Sequence, residues 1–455
     1  MSSSTRSSPS QAAHRPPPDP LELLRSRGYV TILVVAALIG APVALAAYWF
    51  LQLATHLQGW MYVDLPKAVG LGSPAWWPVP VLVAGGLLVA LTVRYLPGHG
   101  GETPADGFQA GRGVPTPVEL IGVALAALAT LGFGAVLGPE APLIALGGGL
   151  AAGAVRLLRR DAPSQAVALI GAAGSFAAIS TLLGSPLPAA FLLMEIAGIG
   201  GAMTSLMLAP GLLAAGIGSL VFIGLDSLTG LGTTSLAVSG LPQVGSPTLA
   251  EFGWAFVIGA AAALLGSGIR RIGLALKPVV ERRLLLATPA VGLLVAALAV
   301  LYGEVTDKSS SDVLFSGQEA LGPLVAQSAE YSVGTLLLLL VCKGLAYGLC
   351  LGSFRGGPIF PAMFLGAAGG VALGHLPGLA TVSGAAMGIG AMCVAMLGYP
   401  LVSVLLATLL LMSDGLEVMP LVIVAVIVAY VGRAWLDPAA SHGAHEPQEP
   451  ASRGT

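Results

Sequence analysis

The sequence predicts an all-α polytopic membrane protein made of two repeated halves of tilted and broken helices, and three observations predict it. First, of 455 residues, 55% are hydrophobic and only 9% are Asp, Glu, Lys or Arg, against about 25% charged in an ordinary soluble domain. A water-facing surface cannot be assembled from so few charges. Second, the apolar residues arrive in blocks, among them 29–51, 203–225, 284–301 and 418–435. Each is long enough to cross hydrocarbon, which takes about 20 helical residues. Lipid leaves backbone N–H and C=O groups no partner outside their own segment, and the alternating pattern of barrel strands is absent, so the blocks are helices. Third, a set of Gly/Pro landmarks occurs twice.

The segment Gly138-Pro139-Glu140-Ala141-Pro142, with Gly147 five residues after its second proline, returns as Gly357-Pro358-Ile359-Phe360-Pro361 with Gly366 at the same spacing. Further on, Gly184-Ser185-Pro186-Leu187 returns as Gly398-Tyr399-Pro400-Leu401. The step from Gly138 to Gly357 is nearly the same as the step from Gly184 to Gly398. Gly and Pro are abundant here, 63 and 33 residues, so one short match would carry little. Three ordered landmarks at near-constant offset mark two structural halves, and duplicated halves with broken helices are a common plan among transporters.

Taken in order, the apolar pattern gives helices at about 29–54, 79–96, 118–136, 140–157, 165–182, 187–199, 203–225, 249–275, 284–302, 332–350, 360–374, 383–397, 400–413 and 417–435. Those starting near 140, 187, 360 and 400 begin at Gly/Pro breaks inside apolar sequence, which predicts half-helices with ends at membrane depth. Residues 1–27 read as a disordered polar tail, 28–436 as one transmembrane domain with halves at about 79–225 and 249–436, and 437–455 as a short polar tail. Residues 1–20 lack the apolar core of a secretory signal. Arg25 and Arg27 precede the first block, and Arg270, Arg271, Lys277, Arg282 and Arg283 form the densest basic connection. The positive-inside rule puts both, and with them the N-terminus, on the cytoplasmic side of the cell membrane.

A net charge of -2 without a basic tract points to no nucleic-acid partner. Cys342, Cys350 and Cys393 stand singly in apolar sequence and read as buried small hydrophobes. His56, His99 and His375 are scattered, and only His99 has an acidic neighbour, Glu102, so interfacial positions are expected in place of a metal site. No cofactor is implied.

The chemistry belongs to the broken helices. Pro139 and Pro358 suit the first helical position, where a missing N–H costs nothing. The following residues, Glu140 and Ala141 in one copy and Ile359 and Phe360 in the other, then offer unpaired backbone N–H groups at a positive dipole end. Two such ends brought together would hold a small anion by dipoles alone, weakly enough to release it. Glu140 is the ionisable residue within this repeat. An acidic residue in a first helical turn is ordinarily a stabilising neighbour of the dipole. A carboxylate at membrane depth is expensive and functional, and this one is placed to compete for the same donors, which predicts a gate withdrawn by protonation or displacement.

These residues resemble the CLC family of chloride channels and proton-chloride exchangers. Gly138, Glu140 and Pro142 match its second signature, G-[RK]-E-G-P, and Glu140 takes the position of the external gating glutamate. Gly357 and Pro361 match the third, G-x-F-x-P, with the aromatic displaced by one place. The run from Gly184 to Glu195 is similar to the family's next helix, with Glu195 on its acidic residue and a candidate proton relay. Met412-Ser413-Asp414 and Pro420 loosely match its late segment. The resemblance covers roughly residues 80–436. It implies two halves inverted relative to each other, a prokaryotic-type member without CBS domains, and a homodimer with one pathway per subunit in membrane lipid. Its partners would be chloride or another small anion, with protons on the antiport reading and voltage gating on the channel reading.

The departures bear on the ligands. Gly101 stands where the first signature, G-S-G-I-P, would supply an anion-binding serine, and no tyrosine lies near 438–441, where the family closes its central site. Pro139 and Pro358 remove two N–H groups that typical members keep. Ile196 occupies the inner proton-relay position of exchangers, directly after Glu195. Selectivity for fluoride or nitrate is therefore the alternative within transport. From another class, an intramembrane hydrolase would need a Ser/His or paired-Asp site, yet Ser185 and Ser403 have no nearby His, and Asp226 and Asp414 lack supporting motifs. Lys343 is expected to snorkel toward an interface or to add positive potential to the pathway, with Glu119 or Glu195 as its candidate partner.

Overall fold

The computed structural model describes residues 25–72, 74–108, 114–198, 202–230, 245–410 and 415–437. Both predicted tails fall largely outside these residues. So do Met412, Ser413, Asp414, residues 438–441 and the side chain of Asp226.

The chain opens with α1 (Arg27–Gly59), which runs through a π-helical turn into residues 65–68, and continues with α2 (Pro78–Tyr95) and α3 (Pro117–Gly132). The first copy of the repeat is α4 (Glu140–Leu158), α5 (Ser164–Leu183) and α6 (Pro186–Ala197), followed by α7 (Ala202–Thr229). Next come α8 (Leu249–Arg282), α9 (Leu284–Thr306), a short α10 (Gln318–Ala326) and α11 (Val333–Leu351). The second copy is α12 (Ile359–Gly374), α13 (Thr381–Leu397) and α14 (Pro400–Leu410), and α15 (Gly415–Leu436) closes the described chain.

Nine of these helices, counted among the described residues, are long and apolar enough to cross a membrane. α6, α12 and the described part of α14, at 12, 16 and 11 residues, are shorter than a full span. α4 is longer, 19 residues, because the Ala/Gly-rich stretch after Pro142 sustains the helix to Leu158. Other boundaries differ too: α1, α7 and α9 run on to Gly59, Thr229 and Thr306, four or five residues beyond the expected ends. α3 ends at Gly132 because Gly134 turns the chain with φ +91°, and α8 continues past its first arginines to Arg282. The short helix α10 has no counterpart in the apolar pattern: its nine residues fall below the length a periodicity reading detects.

The outer surface is apolar, unlike that of a soluble protein. Leu38, Leu220, Leu264 and Leu286 are large, apolar and exposed on the outer helices, as a lipid-facing surface requires. The centre is formed by the middle helix of each repeat. Every residue of α13 from Val382 to Leu397 is buried, and so is every residue of α5 from Ala173 to Leu183; helices apolar all round belong inside.

The glycine landmarks explain how the repeats pack. A Cβ on Gly147 would strike the carbonyl of Gly174 on α5, and one on Gly366 would strike that of Gly388 on α13. Small residues thus let the first two helices of each copy approach backbone to backbone. Gly184 and Gly398, φ +65° and +79°, end α5 and α13 in the left-handed conformation that glycine adopts without a Cβ penalty. Pro186 and Pro400 then start the next helix. We expect Gly366→Val to lower stability by about 1–3 kcal/mol through overpacking, read as a fall in the melting midpoint of the detergent-solubilised protein.

Candidate anion site

The two G-P-x-x-P segments, one in each half of the sequence, meet. The Gly138 N–H donates to the Gly357 carbonyl at 2.8 Å and the Gly357 N–H donates back to the Gly138 carbonyl, forming an isolated antiparallel bridge. This reciprocal pair sets the N-termini of α4 and α12 next to each other.

Pro139 (φ −84°, ψ 0°) and Pro358 (φ −93°, ψ −4°) are N-caps, and the helices begin one residue later, at Glu140 and Ile359. This corrects the expected first helical position. The consequence for donors is unchanged, because a cap proline also lacks an N–H, while its carbonyl stays free to accept. The Pro139 carbonyl accepts from the Leu143 amide at 3.0 Å, and the Pro358 carbonyl accepts from the Tyr347 hydroxyl at 2.6 Å. Pro142 and Pro361, both buried, occupy the third position of each helix. The amides left in the two first turns are those of Glu140, Ala141, Ile359 and Phe360.

Those amides are not all unpaired. Glu140 is completely buried, and its Oε1 accepts from the Phe360 N–H at 2.8 Å. Its Oε2 is buried with no hydrogen-bond partner among the described residues. Gly138 and Gly357 bound the carboxylate so closely that a Cβ on either would collide with Oε2. A side chain from one copy therefore fills the anion-holding end of the other. Ala141 is half-buried in the first turn and makes no hydrogen bond to this carboxylate among the described residues.

Glu195 stands at the second meeting of the halves. Its Oε1 accepts from the Leu401 N–H at 3.0 Å and its Oε2 from the Val402 N–H at 2.7 Å, so α6 caps the N-terminus of α14. Ile196 is its half-buried neighbour.

Other expectations are corrected. Lys343 neither snorkels nor pairs with Glu119 or Glu195. It is completely buried, and its Nζ donates to the carbonyls of Asp312, Val313, Leu314 and Phe315 at 2.9, 3.1, 2.9 and 3.3 Å, with the Phe364 ring centroid 4.5 Å away. The turn of residues 312–315 curls around the ammonium, which is why it stays inside. Glu119 is spent locally in a capping box with Thr116, whose backbone N–H reaches its Oε2 at 2.7 Å. Gly101 (φ +87°) packs against Val123 of α3, and the residues that approach α12 begin three positions later. Pro104, Ala105, Gly107 and Phe108, with Arg270, Leu351, Pro358, Met396 and Leu397, line a small cavity beneath the α12 cap. All three cysteines are buried, and the Cys350 Sγ accepts from the Val136 amide.

Three residues near the site carry no role in the sequence reading. Tyr347, completely buried, donates to the Pro358 carbonyl. Arg355, 8% exposed, lies two residues before Gly357, and its amide donates to Thr130 Oγ1. Arg270 lines the cavity. The available signal for Tyr347 and Arg355 is the one that singles out Lys343, a polar group inside an otherwise apolar block. Arg270 shows in the sequence only as part of a basic connection.

This arrangement defines a class: a polytopic helical membrane protein whose two halves pinch a buried carboxylate between neighbouring helix N-termini. The chain belongs to the voltage gated chloride channel family, whose model matches residues 85–433. A ClcB-like protein of Ralstonia nicotianae, named as a chloride channel protein, is 30% identical over 421 residues, covering 88% of this chain and 93% of that relative. An ion-transport protein of Escherichia coli, YfeO, is 29% identical over 379 residues, covering 80% of this chain and 85% of the relative. Among solved structures, a slow cyanobacterial Cl-/H+ antiporter superposes with a TM-score of 0.72 at 20% identity, covering 89% of this chain and 94% of that one. A CLC-type fluoride/proton antiporter superposes with a TM-score of 0.67 at 22% identity, covering 89% and 96%. The function class is CLC-type anion transport, and the family and these relatives are named as channels and transporters, not enzymes.

Proposed function

We propose that this protein carries a small monovalent anion, chloride in the first place, across the cell membrane along a pathway gated by Glu140. One observation carries the reading: the Glu140 carboxylate accepts the Phe360 N–H at 2.8 Å, so the side chain sits where a passing anion would be held. A carboxylate and an anion compete for one donor set. Protonation removes the charge that makes the carboxylate the better occupant, and the anion then takes its place. The basic connection of α8 marks the cytoplasmic face, and each subunit of a homodimer holds its own pathway.

The test is purified protein in liposomes under an imposed chloride gradient, with internal pH recorded at the same time. Chloride efflux that accelerates on acidification supports the reading, and opposite proton movement assigns exchange over channel conduction. Absence of anion flux at every pH would overturn it. Fluoride and nitrate belong in the same assay. Gly101 offers no hydroxyl to the anion, which favours a second reading in which one of these passes faster than chloride.

Glu195 is assigned here to holding α14 rather than to relaying protons, because both its oxygens already accept backbone amides. Glu195→Gln keeps an acceptor at this position and should leave the pH dependence of flux unchanged. Glu195→Ala should cost about 1–3 kcal/mol of stability, the usual penalty for stranding buried donors. Loss of proton movement in the Gln variant with flux retained would reverse the assignment.

A further inference from the structure

Tyr347 is completely buried in α11, and its hydroxyl donates to the Pro358 carbonyl at 2.6 Å, tying α11 to the cap of α12. The two copies of the repeat differ at this point. In the first, the cap carbonyl of Pro139 accepts from the Leu143 amide of its own helix at 3.0 Å. In the second, a side chain of the preceding helix takes the equivalent carbonyl. The second copy is also the one whose first turn holds the gate, because the Phe360 N–H donates to Glu140 Oε1 at 2.8 Å. The helix that carries the tyrosine is closely seated. A Cβ on Gly348 would come within 3.1 Å of the Ile269 carbonyl of α8, and one on Gly352 would strike the Gly273 carbonyl, so α11 lies backbone against backbone on α8.

The Pro358 C=O and the Ile359 N–H are the two ends of one peptide unit, coupled by the resonance that keeps it planar. A donor on the oxygen draws electron density toward it and makes the N–H at the other end a stronger donor, an effect of about 10–30% per bond inside a protein. Ile359 opens α12, and its amide, like that of Phe360, belongs to the first turn, where no carbonyl lies four residues back within the helix. Pro358 has no N–H of its own, so the donor strength of this helix end rests on those two amides. Fastening the cap carbonyl also fixes the tilt of the turn that carries Phe360.

We infer that Tyr347 is a positioning residue for the gate: its hydroxyl, anchored on the Pro358 carbonyl, aims and strengthens the amides at the start of α12, both for the Glu140 carboxylate and for the anion that replaces it. This rests on the gating reading above. Without the hydroxyl the donors weaken, the ionised carboxylate is held less firmly against its proton, and flux turns on at higher pH. Besides Tyr347, the titratable side chain that acts on Glu140 through space, among the described residues, is the buried Cys393 of α13, and Arg270 of α8 is the charge that acts on Tyr347. Both stay in place in the variants below, so a shift belongs to the hydroxyl.

The test is chloride efflux from liposomes holding the purified full chain, recorded across pH. Tyr347→Phe should move the half-maximal point upward by about 0.3–0.6 pH unit. Tyr347→3-fluorotyrosine keeps the shape of the ring and donates more strongly, because fluorine acidifies the phenol, and should move the point downward. In Glu140→Gln, where no carboxylate competes, adding Tyr347→Phe should raise the half-saturating chloride concentration about two- to fourfold. A merely structural hydroxyl predicts instead a lower melting midpoint for Tyr347→Phe, with the half-maximal pH unmoved and no effect of fluorination. That result would overturn this inference alone, and so would shifts of the same sign from both variants. A Glu140→Gln protein that keeps the native pH response would overturn the gating reading and this inference with it.

Discussion

Replacing Glu140 with Gln is expected to raise anion flux at neutral pH roughly 5–30-fold and to remove its dependence on pH. The expectation follows from the 2.8 Å bond between Glu140 Oε1 and the Phe360 amide. An ionised acceptor on a buried amide makes a charge-assisted bond of about 1.5–3 kcal/mol, whereas a neutral acceptor makes one of about 0.5–1.5 kcal/mol. The difference, about 1–2 kcal/mol, changes the ratio of filled to vacated site by the stated factor. Acidification does the same to the native chain, because protonation neutralises the carboxylate. Wild-type flux should therefore climb as pH falls toward the level of Glu140→Gln, and the variant should stay flat. Glu140→Ala should be as fast as Glu140→Gln and equally flat. A Gln variant with native flux and native pH response would sink the gate, whatever anion is carried.

How far the sequence foretells this differs between the fold and the site. Long apolar blocks translate directly into helices because lipid permits little else, so α2, α5 and α11 are placed within a residue or two. The repeat is legible for a related reason: glycine at 147 and 366, and at 184 and 398, answers demands of backbone approach and left-handed φ that few other residues meet. The four amides and Glu140 can be named from the same logic. What pattern cannot supply is the pairing between the distant copies. Nothing local says that Gly138 bonds Gly357, and hence that the Glu140 carboxylate belongs to α12 as much as to α4. Lys343 departs from expectation for the converse reason. Snorkelling is the usual expectation for a lysine inside an apolar helix, but a turn 28 to 31 residues earlier in the chain presents four carbonyls to it, and a turn of that kind leaves no hydropathy signature.

Lys343→Met is accordingly expected to be among the most destabilising single changes in the protein, at about 3–5 kcal/mol, because several buried carbonyls lose their shared donor at once. Met approximates the length and apolar character of the stem, so what it removes is the ammonium, with its four carbonyl bonds and its place over the Phe364 ring. Four carbonyls that converge on one donor cannot all find new partners in an apolar interior, and each stranded group costs about 1–3 kcal/mol. The turn at 312–315 would then open. That opening reaches the site, because the Phe315 amide donates to the Gly134 carbonyl at 3.1 Å and the Phe315 ring packs edge-on against Tyr62, whose hydroxyl holds the Phe133 carbonyl. Residues 133–137 lead straight into Gly138 and Glu140, so the variant should also lose the pH response of flux in whatever fraction remains folded. Melting of the solubilised protein, followed by tryptophan fluorescence, reads the first effect, and liposome efflux at two pH values reads the second. A Lys343→Met protein that melts within a degree or two of wild type and keeps its pH response would show that the carbonyl cage is incidental to both the fold and the gate.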